Sequence, residues 1–368
     1  MLMDHLREYN LKELERNRQY RVLGRTGGSV NPLSLFWTGS ALELNLRATE
    51  LWVTLESSYM VFENWIDVMV NGALIQRFMV PKGRSEICLF RGMDRNQTRN
   101  VRIVRDTQAM HLDPRNSLSI CSLITDGVFE DVPEPAMKLE FIGDSLTSGE
   151  GLTGASDYME WNPGCFSAVH TYAYLTSAIL GAEYSVLSQS GWGTCYSYEG
   201  VRKDAMPLYY DQVCGVLRGD RNRQKGAFDE WDFENWRPDA VIVSLGTNDE
   251  MAINTVADCT VREFEDAAYR FLVKLRQRNP GSFLLWCYGM LGHDLEEPLK
   301  RAFERFRKET GDADNDLMIL DSTSDEELGS RDHPGRRAHM RAARKLAKRI
   351  ADALWEPENE DVLDEVRT

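Results

Sequence analysis

The stretch Leu139–Gly151 reads LEFIGDSLTSGEG. An apolar run ends in Gly-Asp-Ser and passes at once into further small residues. A core strand needs no serine at its tip. A nucleophile does, because it must stand at the end of a rigid element, open to substrate. The reading of this stretch turns on whether the rest of the chain surrounds Ser145 with the other groups that such chemistry needs.

Downstream of it, strand-like and helix-like runs alternate. The strands are KLEFIG, EYSVLS, AVIVSLG, FLLWCYG and DLMILD. Between them lie amphipathic stretches such as TVREFEDAAYRFLVKLRQRNPG, where Thr260 and Glu263 have capping-box spacing and Asn279-Pro280-Gly281 closes the helix. A last helix is expected from Pro334 through RRAHMRAARKLAKRIADALW. This alternation predicts an α/β fold, a five-stranded parallel sheet with helices on both faces.

Upstream, the period changes to two. ALELNLRA places Leu42, Leu44 and Leu46 on one face and Glu43, Asn45 and Arg47 on the other. WIDVMVNGALIQRFMV is a hairpin signal centred on Asn71-Gly72. With SEICLF, NVRIVR and LSICSLITDG, it predicts an antiparallel β-sandwich without helices after about Arg18. The Pro-rich link DVPEPAM separates the halves, so residues 1–132 form the expected sandwich domain with a short leading segment, and 133–368 the α/β domain. The acidic tail EPENEDVLDEVRT is expected to fray.

Composition narrows the partners. The 368 residues are 42% apolar and 27% charged, with a formal charge of −15. Such a field repels nucleic acid and anionic membrane. No apolar run approaches a membrane span of roughly 18 residues. The N-terminus lacks the apolar segment of a secretory signal, and seven scattered cysteines show no paired spacing. Together these predict a cytoplasmic protein with free buried thiols. His111, His170 and His293 lack metal-like spacing, so no metal or other cofactor is expected.

Ligands of open α/β sheets bind beyond the carboxyl ends of the strands. Four distinctive groups fall there: Ser145 after the first strand, Gly191 after the second, Asn248 after the third and His333 after the fifth. Acyl transfer needs such a set. A serine is a weak nucleophile until a base takes its proton, and histidine titrates in the right range. The backbone N–H groups of Ser145 and Gly191, with the Asn248 side-chain amide, form the expected oxyanion hole. Each motif alone is weak, but four in this order at strand ends are not.

These residues resemble the SGNH, or GDSL, hydrolase superfamily, named for a Ser, a Gly, an Asn and a His in four blocks. The resemblance covers roughly residues 137–355 and implies an SGNH-type α/β/α domain. A jelly-roll sandwich with the opening GR…LFWTGSALEL in front of it looks like carbohydrate esterase family 2. The resemblance implies removal of acetyl groups from xylan- or mannan-type oligosaccharides by a Ser145–His333 pair through an acetyl-enzyme. The superfamily usually carries Asp three residues before the histidine, where this chain has Ser330. Several members of the family hold the imidazole N–H with a backbone carbonyl instead, and that is expected here, with Asp332 as the alternative orienter.

Asp144, Trp192 and Trp286 are candidates for substrate contact. Against that stand loop anchoring for Asp144 and Asp249 and core packing for the tryptophans. His339, inside the last helix, is expected to be structural. Two other functions use the same residues. One is an SGNH lipase or thioesterase for longer acyl groups, and the other a non-catalytic sugar-binding protein. Sandwich faces often pack against neighbours, so a homo-oligomer is also open.

Overall fold

The computed structural model describes residues 6–15 and 19–355; the tail expected to fray lies outside these. The chain divides into two compact units. One comprises the described residues up to Glu134 together with Asp211–Trp231, and the other Pro135–Tyr210 and the described residues from Asp232 onward. A single boundary near residue 132 therefore takes no account of residues 211–231, which group with the N-terminal unit.

That unit holds two antiparallel sheets. One runs in the order Arg7–Tyr9, Ser117–Thr125, Glu50–Ser58, Gly83–Arg91, with Leu33–Leu35 also on Ser117–Thr125. The other runs Val128–Glu130, Ala41–Arg47, Arg99–Arg105, Asn64–Val70, Ala73–Val80, with Tyr20–Leu23 on Ala41–Arg47. Leu42, Leu44 and Leu46 of one sheet and Leu51, Val53 and Leu55 of the other belong to a single buried cluster. Full burial of each such side chain contributes roughly 1.5–3 kcal/mol. Glu43 points away from the cluster but is also buried, covered by ion pairs to Arg21 at 3.2 Å and Arg102 at 3.0 Å. At the Asn71-Gly72 turn both residues take positive φ, 48° and 80°, as the hairpin signal requires.

The opening motif has a structural task. Arg25 and Trp37 are fully buried. Arg25 Nη1 donates to Gln212 O at 2.9 Å, and Trp37 Nε1 donates to Val213 O at 2.7 Å. Asn222 Nδ2 donates to Asn116 O at 2.9 Å, and Lys225 Nζ to Ser119 Oγ at 2.7 Å. These bonds hold residues 211–231 within the unit.

The second unit is built on a parallel sheet of five strands: Lys138–Gly143, Glu183–Ser188, Ala240–Ser244, Phe283–Tyr288 and Asn315–Ile319. Their spatial order is second, first, third, fourth, fifth. The register shows why helices cover both faces. Phe141, Ile242 and Leu285 are paired neighbours, so they share a face, and Trp286 points to the other. Phe141 packs edge-on against Tyr172 of helix Tyr172–Ile179. Trp286 packs between Phe271 of helix Val261–Arg278 and Phe303 of helix Glu296–Thr310. Thr260 caps the first of these two, accepting from Glu263 N at 3.2 Å. The last helix spans Arg336–Leu354, two residues later than Pro334, because His333 to Gly335 are extended and Pro334 bridges to Leu328.

Among the described residues no helix is long and apolar enough to cross a membrane. All seven cysteines are free, but only Cys214, Cys259 and Cys287 are buried; the other four are half-buried, which corrects the expectation of uniformly buried thiols.

Candidate active site

Strand order places the candidate residues. The chain leaves the first strand for a neighbour on one side, then returns to pair on its other side, so the loops after the first and third strands part at their carboxyl ends. Ser145 opens the helical turn Ser145–Ser148 directly after the first strand. Asn248 follows the third strand, in the first turn of helix Thr247–Thr255.

Asp144 caps the Ser145 turn: its Oδ1 accepts from Leu146 N at 3.0 Å. Its Oδ2 accepts from Asn248 Nδ2 at 3.3 Å, and the same Nδ2 donates to Trp192 O at 3.0 Å. Asp144 is 1% exposed. Burial pushes its carboxyl up to about 7; the Leu146 N–H opposes this, and nearby Asp249 adds to it. Asp249 is also buried and accepts from the backbone N–H groups of Thr194, Cys195 and Tyr196 at 2.7, 2.9 and 3.1 Å, which fixes the chain after Gly191.

Gly191 has φ +79°, a region that L side chains avoid. A Cβ there would stand 3.0 Å from Tyr198 Cδ1. Tyr198 donates its backbone N–H to Gly191 O at 2.9 Å, and its ring is 46% exposed beside Gly191. Composition and spacing did not single it out, because it lies on an irregular loop; the only signal was its place seven residues after Gly191.

The base candidate is set in a strained turn. Arg331 and Asp332 both have positive φ, 57° and 55°. That curl brings the Arg331 carbonyl to 2.7 Å from His333 Nδ1. A carbonyl only accepts, so Nδ1 carries the hydrogen and Nε2 keeps its lone pair. Asp332 is exposed, and the atom beside Nδ1 is this carbonyl and not the Asp332 carboxylate. Ser330, at the usual acid position, is fully buried.

Glu150 joins the two turns. Its backbone N–H donates to Ser145 O at 3.0 Å. Its carboxylate accepts from Arg331 Nε at 2.8 Å and lies 4.0 Å from His333 Nε2.

Three candidates for substrate contact are buried and engaged within the fold. Trp286 is fully buried and donates Nε1–H to Leu245 O at 2.9 Å. Trp192 is 2% exposed, packed on Tyr209, and meets Asn248 through its backbone carbonyl. The Asp144 carboxylate is taken up by Leu146 and Asn248. His170 bonds to Ser167 and His293 to Ser322. Among the described residues no group of three or more His, Cys, Asp or Glu is placed to hold a metal ion.

Residues 141–353 match the model of the GDSL-like Lipase/Acylhydrolase family. The chain belongs to this family. Within it, the chain is similar to the solved acetyl xylan esterase Est2A from the rumen bacterium Butyrivibrio proteoclasticus. The two are 36% identical, with a TM-score of 0.92, over 95% of this chain and 100% of that one. It is 27% identical over 328 residues to cellulase/esterase CelE of Acetivibrio thermocellus, a match taking in 86% of this chain and 37% of that protein. It is 24% identical over 237 residues to an acetylxylan esterase/glucomannan deacetylase of Cellvibrio japonicus, 62% of this chain and 61% of that protein. The chain thus spans less than two thirds of the length of these last two. Solved family 2 carbohydrate esterases from Clostridium thermocellum and Cellvibrio japonicus share its fold, with TM-scores of 0.76 and 0.78 at 23% and 20% identity.

Proposed function

We propose that the protein is a serine esterase that removes O-acetyl groups from xylan- or mannan-type oligosaccharides. The observations that carry this reading are a serine at a strand tip and a histidine whose Nδ1–H is held by a backbone carbonyl, leaving Nε2 as base, with Glu150 bonded to the first through its backbone and 4.0 Å from the second through its carboxylate. The similarity to Est2A over nearly the whole chain supports the acetyl and xylan parts. The N-terminal unit reads as a jelly-roll β-sandwich, and the free cysteines support a reducing compartment, where the substrate is a short fragment.

In this mechanism Ser145 Oγ attacks the acetyl carbonyl carbon as His333 Nε2 takes its proton. The oxyanion accepts from Ser145 N, Gly191 N and Asn248 Nδ2, the last giving up its longer bond to Asp144. His333 then protonates the departing sugar oxygen. Water, deprotonated by His333, attacks the acetyl-serine and frees acetate. The exposed ring of Tyr198, beside Gly191, offers a face for a sugar.

The test is acetate release from acetylated xylo- and manno-oligosaccharides by wild type, Ser145→Ala and His333→Ala. Release by the wild type alone is expected. Equal release by either variant would overturn the assignment. Hydrolysis of octanoyl but not acetyl esters would move the protein to the lipase or thioesterase branch.

A further inference from the structure

We infer that Glu150 and Arg331 form a clamp that sets the tautomer and position of His333, replacing the acid that Ser330 does not provide. The inference rests on the esterase reading of the same site. A histidine ring turning back onto a carbonyl only two residues before it requires a tight curl. Here the curl is made by two consecutive non-glycine residues at positive φ, a conformation that persists only where its surroundings enforce it. The enforcement falls on Arg331. Its backbone N–H donates to Tyr158 O at 3.0 Å, its Nη1 to Met159 O at 3.2 Å and its Nε to Glu150 at 2.8 Å. On either side, Ser330 N donates to Gly151 O at 3.0 Å and Gly329 N to His333 O at 2.7 Å.

The bond to Glu150 differs from the others in kind. It is an ion pair whose carboxylate is 4% exposed, so the interaction is little weakened by water. It also ties the base to the nucleophile, since Glu150 is bonded through its backbone to Ser145 O. One path therefore runs from the Ser145 turn through the Glu150 carboxylate to Arg331, and from the Arg331 carbonyl to His333 Nδ1. Glu150 and Arg331 are positioning residues: they act on the reaction only through the imidazole.

The test combines kinetics with a direct view of the ring. Long-range proton–nitrogen NMR, with the His333 signals assigned by their loss in His333→Ala, reads the tautomer. The wild type is expected to show Nδ1–H, and Glu150→Ala a mixture with Nε2–H. On an acetyl ester, Glu150→Ala should lower kcat by about 10- to 100-fold with KM within about two-fold, as a misplaced group does. Glu150→Gln, which still accepts from Arg331, should recover most of that loss. Arg331→Ala should match Glu150→Ala, and the double variant should be no worse than either. Wild-type tautomer and kcat in both Ala variants, or multiplied losses in the double, would overturn the clamp. If Glu150→Ala does not fold, Arg331→Ala, whose side chain is partly exposed and whose carbonyl remains, carries the same test. Because the spectrum is read without turnover, a chain that releases no acetate yet loses its Nδ1–H tautomer in the variants keeps the clamp and loses only the esterase reading.

Discussion

Asn248 has two amide hydrogens, and both are engaged, one with Trp192 O at 3.0 Å and one with Asp144 Oδ2 at 3.3 Å. The shorter bond fixes where the amide points, and the longer one is open to competition. In the proposed mechanism an oxyanion takes the hydrogen now given to Asp144, so the amide acts in the transition state more than in the bound ester. Asn248→Ala should therefore lower kcat by roughly 10²- to 10³-fold with little change in KM. Steady-state rates on a chromogenic acetyl ester check this; a raised KM with unaltered kcat would assign Asn248 to ground-state binding instead. The candidate residues were legible because each is a small or polar group at the end of an apolar run. Their partners were not. The burial of Trp192 depends on Tyr209, seventeen positions away, and the role of Glu150 depends on the fold that brings Arg331 to it. Asp332 was weighed because it adjoins His333 in sequence, whereas the orienting carbonyl depends on two φ angles that no residue type announces.

At the scale of elements, the five parallel strands were legible because each carries a short apolar run, unbroken in FLLWCY and interrupted by Ser185 in EYSVLS. How the last helix docks was not. His339 supplies part of the answer. It is fully buried, stacked on Tyr172 with ring centres 6.0 Å apart and planes at 11°, and its Nδ1 accepts from Tyr172 N at 3.0 Å. This ties helix Arg336–Leu354 to helix Tyr172–Ile179. Burial, with nearby His333 and His170 as lesser causes, lowers the ring from its ordinary 6.5 to about 3. The folded protein thus keeps His339 neutral where the unfolded chain protonates it. Stability from this group is complete above pH 6.5 and is lost as pH falls from there toward 3. At pH 5 the loss is about 2 kcal/mol, taking 1.36 kcal/mol per unit of pH below the unfolded value. Urea unfolding of wild type and His339→Gln at pH 7.5 and pH 5 checks it. The stability difference between the two should shift by that amount against the wild type at pH 5, while an unchanged difference would show that His339 does not titrate across folding.

For the whole molecule, the consequential feature is that the chain enters the N-terminal unit twice. It leaves at Glu134, builds two strands of the parallel sheet, returns for Asp211–Trp231 and leaves again. The Pro-rich link marked the first departure; the return carries no such composition, and its anchors, Arg25 and Trp37, look in sequence like any motif of a sandwich. In the fold both are buried donors whose acceptors, Gln212 O and Val213 O, come from the returning segment. A fragment ending at residue 134 would lack both acceptors, at roughly 1–3 kcal/mol for each lost bond. It would also uncover the surface that Cys214 and Leu217 fill, both now fully buried. Against a typical total of about 5–15 kcal/mol, such losses are decisive. Residues 1–134 expressed alone should therefore lack a cooperative thermal transition and a native near-ultraviolet circular dichroism spectrum, although their strands are complete. Joining residues 211–231 to that fragment through a flexible linker should restore both. A sharp transition from the short fragment would show that the sandwich is stable by its own core, and that Arg25 and Trp37 find other partners when the returning segment is gone.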